Sequence, residues 1–112
     1  MGWGRLGAKT AVLVMTEFGR TARINGTKGT DHGTATVAFV LGGAVAGGRV
    51  LADWPGLGSG KLLENRDLQP TRDLRAIVKG LLAQHLGLGA EALATVFPDS
   101  ATVQPTPGLI RA

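Results

Sequence analysis

Cysteine is absent from this chain of 112 residues. Disulfide staples, thiolate nucleophiles and zinc–thiolate centres are therefore excluded. Tyrosine is absent as well, and three Phe and two Trp make up the aromatic content. The net charge is +4, but the 12 basic residues are scattered from Arg5 to Arg111, mostly singly, and none alternate with aromatics. A basic balance without a patch describes a solvated surface and makes nucleic acid an unlikely partner. Long apolar runs are missing too: the longest, Ala35 to Ala46, is broken by Thr36, Gly42 and Gly43, and nothing reaches the roughly 18 apolar residues of a membrane span. The first residues, MGWGRLGAKT, lack a signal-peptide apolar core. No G-x-S-x-G elbow, GxGxxG or Walker motif is present; Gly56 to Lys61 has glycines and a lysine without the Walker spacing. The two serines, Ser59 and Ser100, have no visible base partner.

Glycine is in excess, with 18 residues against roughly 7% in average usage. The glycines form no repeat and sit where turns and caps are expected. The length is that of one domain with a modest core. Residues 1–98 read as a single α/β domain and 99–112, with Pro105 and Pro107, as an irregular tail.

The apolar run Ala11 to Met15 predicts a strand buried on both faces, as in a parallel sheet covered by helices. Chemistry in such sheets sits at strand carboxyl ends, here Thr16 to Thr21. A glycine-rich loop follows, with a turn at Asn25-Gly26. Thr34 is placed to cap a buried helix over Ala35 to Leu41, ended or interrupted by Gly42-Gly43. Gly47-Gly48 predicts a turn, Arg49 to Ala52 a short strand and Asp53-Trp54-Pro55-Gly56 a turn, and a short hairpin is expected around Asn65. The best helix starts near Thr71, carries Leu74, Ile77, Val78, Leu81, Leu82 and Leu86 on one stripe, and closes at Gly87. Ala90 to Val96 is a shorter helix stopped by Phe97-Pro98. The short buried strand and the wholly apolar helix both call for cover. A piece of a larger α/β protein, or half of an oligomeric sheet, would supply it.

Two constellations can carry chemistry. Asp31-His32, flanked by Gly29 and Gly33, can offer a carboxylate oxygen and an imidazole nitrogen to one divalent ion. Equally, Asp31 can cap the following helix while His32 hydrogen-bonds nearby. Glu17, at the strand end, suits a metal ligand or general base, and Arg20 suits an anion such as phosphate or sulfate. Equally, Glu17 and Arg20 can pair with each other and fix the loop. His85, in the last turn of the long helix, reads as structural.

The segments VLVMTEFGRT, Asn25, GTDHGTATVAFVLGG, GGRVLADWPGL, RDLQPTRDLRAIVKGLL and the final VFP stand in this order between Thr10 and Pro98. Together they resemble the C-terminal part of the DUF1501 family, bacterial proteins often described as sulfatase-like or Tat-exported. The resemblance implies an α/β sandwich of the alkaline phosphatase superfamily, with metals at strand ends. It also implies an exported or periplasmic setting. Asp31-His32-Gly33 matches that superfamily's Asp-His-Gly text, whereas by position Glu17 is the analogue of the Asp and His32 of a downstream His. The implied ligands are therefore Glu17, Asp31 and His32, holding Zn²⁺, Mn²⁺, Ca²⁺ or Mg²⁺, with Arg20 on the substrate anion. The superfamily's nucleophile lies in an N-terminal region with no counterpart here, so the implied site is a partial one. It would be completed by self-association or by an N-terminal portion. The implied activity is metal-dependent hydrolysis of a small anionic phosphate or sulfate ester. The alternatives are metal-dependent hydrolysis of carboxylic esters or lactones, and a non-catalytic interaction or structural domain.

Overall fold

A computed structural model of the protein describes residues 4–111. The fold is a small mixed α/β arrangement in the order α1 (Gly4–Ala8), β1 (Val12–Val14), β2 (Gly19–Arg20), β3 (His32–Gly33), β4 (Phe39–Leu41), α2 (Leu74–Leu86) and α3 (Ala90–Val96). The strands form two separate two-stranded sheets, β1 with β4 and β2 with β3. The chain divides into two compact units. One takes the described residues up to Leu13, Val40–Val50 and the chain from Asp73 onward; the other takes Val14–Phe39 and Leu51–Arg72.

The first unit is built around α2. Asp73 is its N-cap, with extended backbone and a carboxylate accepting from the Arg75 N–H at 2.9 Å, so the cap lies two residues beyond Thr71. Gly87 closes the helix in the left-handed conformation, its N–H reaching the carbonyls of Ala83 and Leu82. The apolar stripe is only half-buried, and Leu86 at its end is exposed. The buried positions are instead Lys79 and Gly80, on the small and polar stripe that also carries Ala76, half-buried, and Gln84, exposed. It docks the segment after α3: Thr106 N–H donates to the Ala76 carbonyl at 2.9 Å, and Lys79 Nζ donates to the Ser100 and Val103 carbonyls at 2.7 and 2.9 Å. Gln84 donates to the Thr106 carbonyl and accepts from the Leu109 N–H, both at 2.7 Å. Residues 99–111 contain neither helix nor strand, yet Leu109, 4% exposed, is among the core residues with Ala44, Val45 and Leu93. An isolated bridge pairs Val45 with Ile110, and Arg111 N–H donates to the Ala44 carbonyl at 2.8 Å. α3 runs over Ala90–Val96 as expected, buries Leu93 and packs on α2.

Three expectations are corrected here. The strand at Val12–Val14 exists, but Val12 and Leu13 are half-buried and Val14 is exposed. A strand covered on both faces needs neighbours on both edges and a layer on each side, and among the described residues β1 pairs with β4 alone. The buried helix over Ala35 to Leu41 does not form. Residues 35–38 are irregular and β4 takes Phe39–Leu41. The run is β-branched at Thr36, Val37 and Val40 and aromatic at Phe39, side chains that favour a pleated strand over a helix. The strand at Arg49 to Ala52 is absent, and Val50 is 88% exposed. The helix α1, just ahead of β1, carries no clear periodic signal in its five residues, GRLGA.

In the second unit, β2 and β3 run antiparallel, with Gly19 opposite Gly33 and Arg20 opposite His32. The expected hairpin around Asn65 forms: Leu63 bridges Asp67, and Glu64 and Asn65 take the left-handed conformation at the tip. Thr21 also bridges Asp67, so β2 continues onto the hairpin. Downstream, Arg72 pairs with Asp53 at 3.1 Å.

Candidate functional site

The β2–β3 ribbon is closed by two bare positions. A Cβ on Gly19 would lie 2.0 Å from the Ala35 carbonyl oxygen, and one on Gly33 would lie 2.7 Å from the Arg20 carbonyl carbon. Both glycines are buried. Only glycine permits that approach, and it fixes the register one residue further along. Cross-strand partners share a face, so Arg20 and His32 stand side by side, and both are exposed. The His32 ring lies against Phe18, centroids 4.1 Å apart and tilted by 31°. Arg20 turns to the loop: its Nε donates to Thr30 Oγ1 at 3.0 Å and its Nη2 to the Thr30 carbonyl. Of the donors on the guanidinium fork, those on Nη1 and one on Nη2 remain outside this contact.

The loop between the strands is tied by Asn25. Its Oδ1 accepts from Thr27 N–H at 3.0 Å, Thr27 Oγ1 at 2.9 Å and Gly29 N–H at 3.0 Å; its Nδ2 donates to Asp31 Oδ1 at 3.1 Å. Asp31 is held through its backbone. Its carbonyl accepts from Thr21 N–H at 3.0 Å, and its N–H donates to Thr21 Oγ1 at 3.1 Å. No helix follows for Asp31 to cap, and its side chain is exposed.

The most buried acid is Asp67, 2% exposed, a residue that sequence reasoning placed only in a hairpin arm. Thr34 Oγ1 donates to Oδ2 at 2.7 Å and Arg66 Nε donates to Oδ1 at 2.8 Å. These partners, the Thr34 hydroxyl foremost, hold the Asp67 carboxyl below the usual carboxylate range. Asp67 in turn raises the Arg66 guanidinium. The hairpin is fastened to the chain after β2: Ala22 and Arg23 N–H groups donate to the Arg66 carbonyl, and Arg23 Nε and Nη2 grip the carbonyl and Oδ1 of Asn65 at 2.8 and 2.6 Å. The Arg-Asp doublet in the hairpin arm was the available signal. Its partner Thr34 lies 33 residues away, beyond any local pattern.

Glu17 is exposed two residues before β2. The ion pairs among the described residues are Arg66–Asp67, Arg72–Asp53 and Arg75–Asp73. Glu17 and Arg20 therefore do not fix the loop by pairing; the Arg20–Thr30 contact takes that role. The ribbon brings Arg20, Asp31 and His32 into one neighbourhood. Among the described residues, however, no three His, Asp or Glu side chains form a group fit to hold a metal ion. A catalytic zinc takes three protein ligands, so Glu17, Asp31 and His32 as placed do not make up a complete set. His85 occupies the last turn of α2.

No helix among the described residues is long and apolar enough to cross a membrane. No curated protein and no solved structure matches the chain. A family model described as "Protein of unknown function (DUF1501)" matches residues 4–97, and the chain belongs to that family.

Proposed function

We propose, with membership of the DUF1501 family as the premise, that this chain supplies part of the site of a hydrolase acting on phosphate or sulfate esters, within a framework of the alkaline phosphatase type. The observation that supports this reading is the cross-strand pairing of Arg20 with His32 on an exposed face, with Asp31 adjacent in the chain. The remaining Nη1 and Nη2 donors of Arg20 suit two oxygens of an anionic ester, a geometry at which a guanidinium excels. The His32 imidazole, braced by Phe18, suits a ligand or a proton carrier. Asp31, His32 and Glu17 would contribute to a divalent-ion site (Zn²⁺, Mn²⁺, Ca²⁺ or Mg²⁺). The remaining ligands and the nucleophile would come from a second copy or from an N-terminal portion in an exported protein.

The second reading is a non-catalytic interaction or structural domain. The Arg20–Thr30 and His32–Phe18 contacts favour it, because each gives its residue a purely structural use. Metal analysis and thermal melting with the four ions separate the two. A raised melting temperature with one ion, lost in His32→Ala, supports the hydrolase reading; no bound ion and no shift sinks it. Nitrophenyl phosphate, sulfate and carboxylate esters then identify the ester class. Turnover confined to the carboxylate ester supports the alternative of a carboxylic ester or lactone hydrolase. Turnover unchanged in His32→Ala rejects these residues.

A further inference from the structure

The loop beside the ribbon contains a group that neither reading uses, the Asn25 carboxamide followed by Gly26. Three donors converge on Asn25 Oδ1: the N–H groups of Thr27 and Gly29 and the Thr27 hydroxyl, all at 2.9–3.0 Å. The two backbone donors fix which end of the amide is oxygen, because an NH₂ group in that place would face N–H groups. Donors arranged in this way draw electron density from Cγ and are placed to stabilise negative charge on Oδ1 when a nucleophile adds, the logic of an oxyanion hole.

The nucleophile is next in the chain. Gly26 is exposed, and beyond its two chain neighbours no atom lies within 4 Å of the position its Cβ would take. Among the described residues no backbone carbonyl accepts its N–H, which leaves the nitrogen outside the hydrogen bonds that tie the loop.

We propose that Asn25 is a self-modifying site that deamidates in the folded chain. The Gly26 nitrogen adds to Asn25 Cγ and gives its proton to water; the new C–N bond closes a five-membered ring. The Cγ–Nδ2 bond breaks, and Nδ2 takes a proton from water and leaves as ammonia. Solvent water then opens the succinimide at either carbonyl, giving aspartate or isoaspartate. No electrons are transferred, and water is the only co-reactant.

The aspartate product keeps an oxygen for the three donors but loses the N–H that now reaches Asp31 Oδ1 at 3.1 Å. A second carboxylate oxygen then faces the Asp31 carboxylate, and like charges at that separation repel. The loop that leads into His32 thereby passes from a closed, amide-bridged form to one forced apart by charge.

The test uses the full chain, incubated in mildly alkaline buffer and sampled over days. Trypsin cutting after Arg23 and Lys28 releases the peptide Ile24 to Lys28, in which mass spectrometry reads a gain of one dalton and an isoaspartate assay reads the second product. The peptide from the native chain is expected to convert to both products. Thr27→Val, which keeps the backbone donor and removes the hydroxyl, is expected to slow conversion several-fold in the folded chain but not in the free peptide. A peptide that stays unmodified in the folded chain while its free counterpart converts overturns the proposal, as does a Thr27→Val rate equal to the native one. Asn25→Asp, standing for the product, is expected to melt below the native chain, and adding Asp31→Asn to it is expected to restore the melting temperature. An Asn25→Asp chain that melts like the native one removes the charge switch.

Discussion

The Thr34 hydroxyl donates to the Asp67 carboxylate at 2.7 Å and joins the end of β3 to the hairpin at residues 63–67. With Arg66 on the other oxygen, the buried acid has a partner on each side. Its carboxyl is held below its ordinary value, so the sign is that of a depressed acid. The stabilisation is fully present above the unfolded-state value and is lost as pH falls through the lower, folded-state value. Melting temperature measured against pH is therefore expected to fall on the acid side of the ordinary carboxylate range. Asp67→Asn, lower at neutral pH, is expected to show a flatter acid limb.

Thr34→Val isolates the hydroxyl, the largest cause of the Asp67 shift. Its removal is expected to move the Asp67 titration midpoint upward, read by carboxyl-carbon NMR, and to start the acid loss of stability at higher pH. An unmoved midpoint would assign the depression to Arg66 instead.

Features with local causes were legible in the sequence. The Gly87 cap, the stop at Phe97-Pro98 and the hairpin about Asn65 each depend on a few neighbouring residues. The motifs EFGRT, GTDHG and DWPGL were enough to reach the family. The segment from Ala35 to Leu41 was not legible, because a short apolar run has no period that separates strand from buried helix. Thr34 was a good helix cap by type, but its hydroxyl is engaged by Asp67, a long-range partner. Arg20 and His32 were both singled out. Their pairing, which sets them on one face, follows from a register closed by Gly19 and Gly33, a tertiary fact.

Those two glycines give a direct test of the ribbon. Gly19→Ala places a methyl group 2.0 Å from a backbone carbonyl oxygen that no side-chain motion can clear. Overpacking of this kind costs about 1–3 kcal/mol or more. Urea melts are expected to show that loss, with the Thr21 amide losing protection from hydrogen exchange as its bond to the Asp31 carbonyl opens.

Lys79 is a buried ammonium with two carbonyl partners, Ser100 and Val103, which it holds at 2.7 and 2.9 Å. Lys79→Met keeps most of the stem but leaves the Val103 carbonyl without its donor, while the Ser100 carbonyl keeps the Val103 N–H at 2.9 Å. A buried polar group left unpaired costs about 1–3 kcal/mol. The urea midpoint is expected to fall accordingly, with faster amide exchange at Val103 and Thr106. Lys61→Met, at an exposed position, is expected to change the midpoint little.

Gly80 sets two effects of opposite sign against each other. In an isolated helix, alanine is favoured over glycine by about 0.8–1.0 kcal/mol. In α2, the added Cβ would lie 2.3 Å from the Thr106 carbonyl oxygen and 2.8 Å from Leu109 Cδ1. The leucine tip can swing aside. The carbonyl cannot, because Gln84 Nε2 holds it at 2.7 Å while the Thr106 N–H is bonded to Ala76. Overpacking at about 1–3 kcal/mol therefore outweighs the propensity gain, and Gly80→Ala is expected to melt below the native chain in thermal denaturation. A variant that melts higher would show that the segment from Thr106 to Leu109 does not rest on this face of α2 in solution.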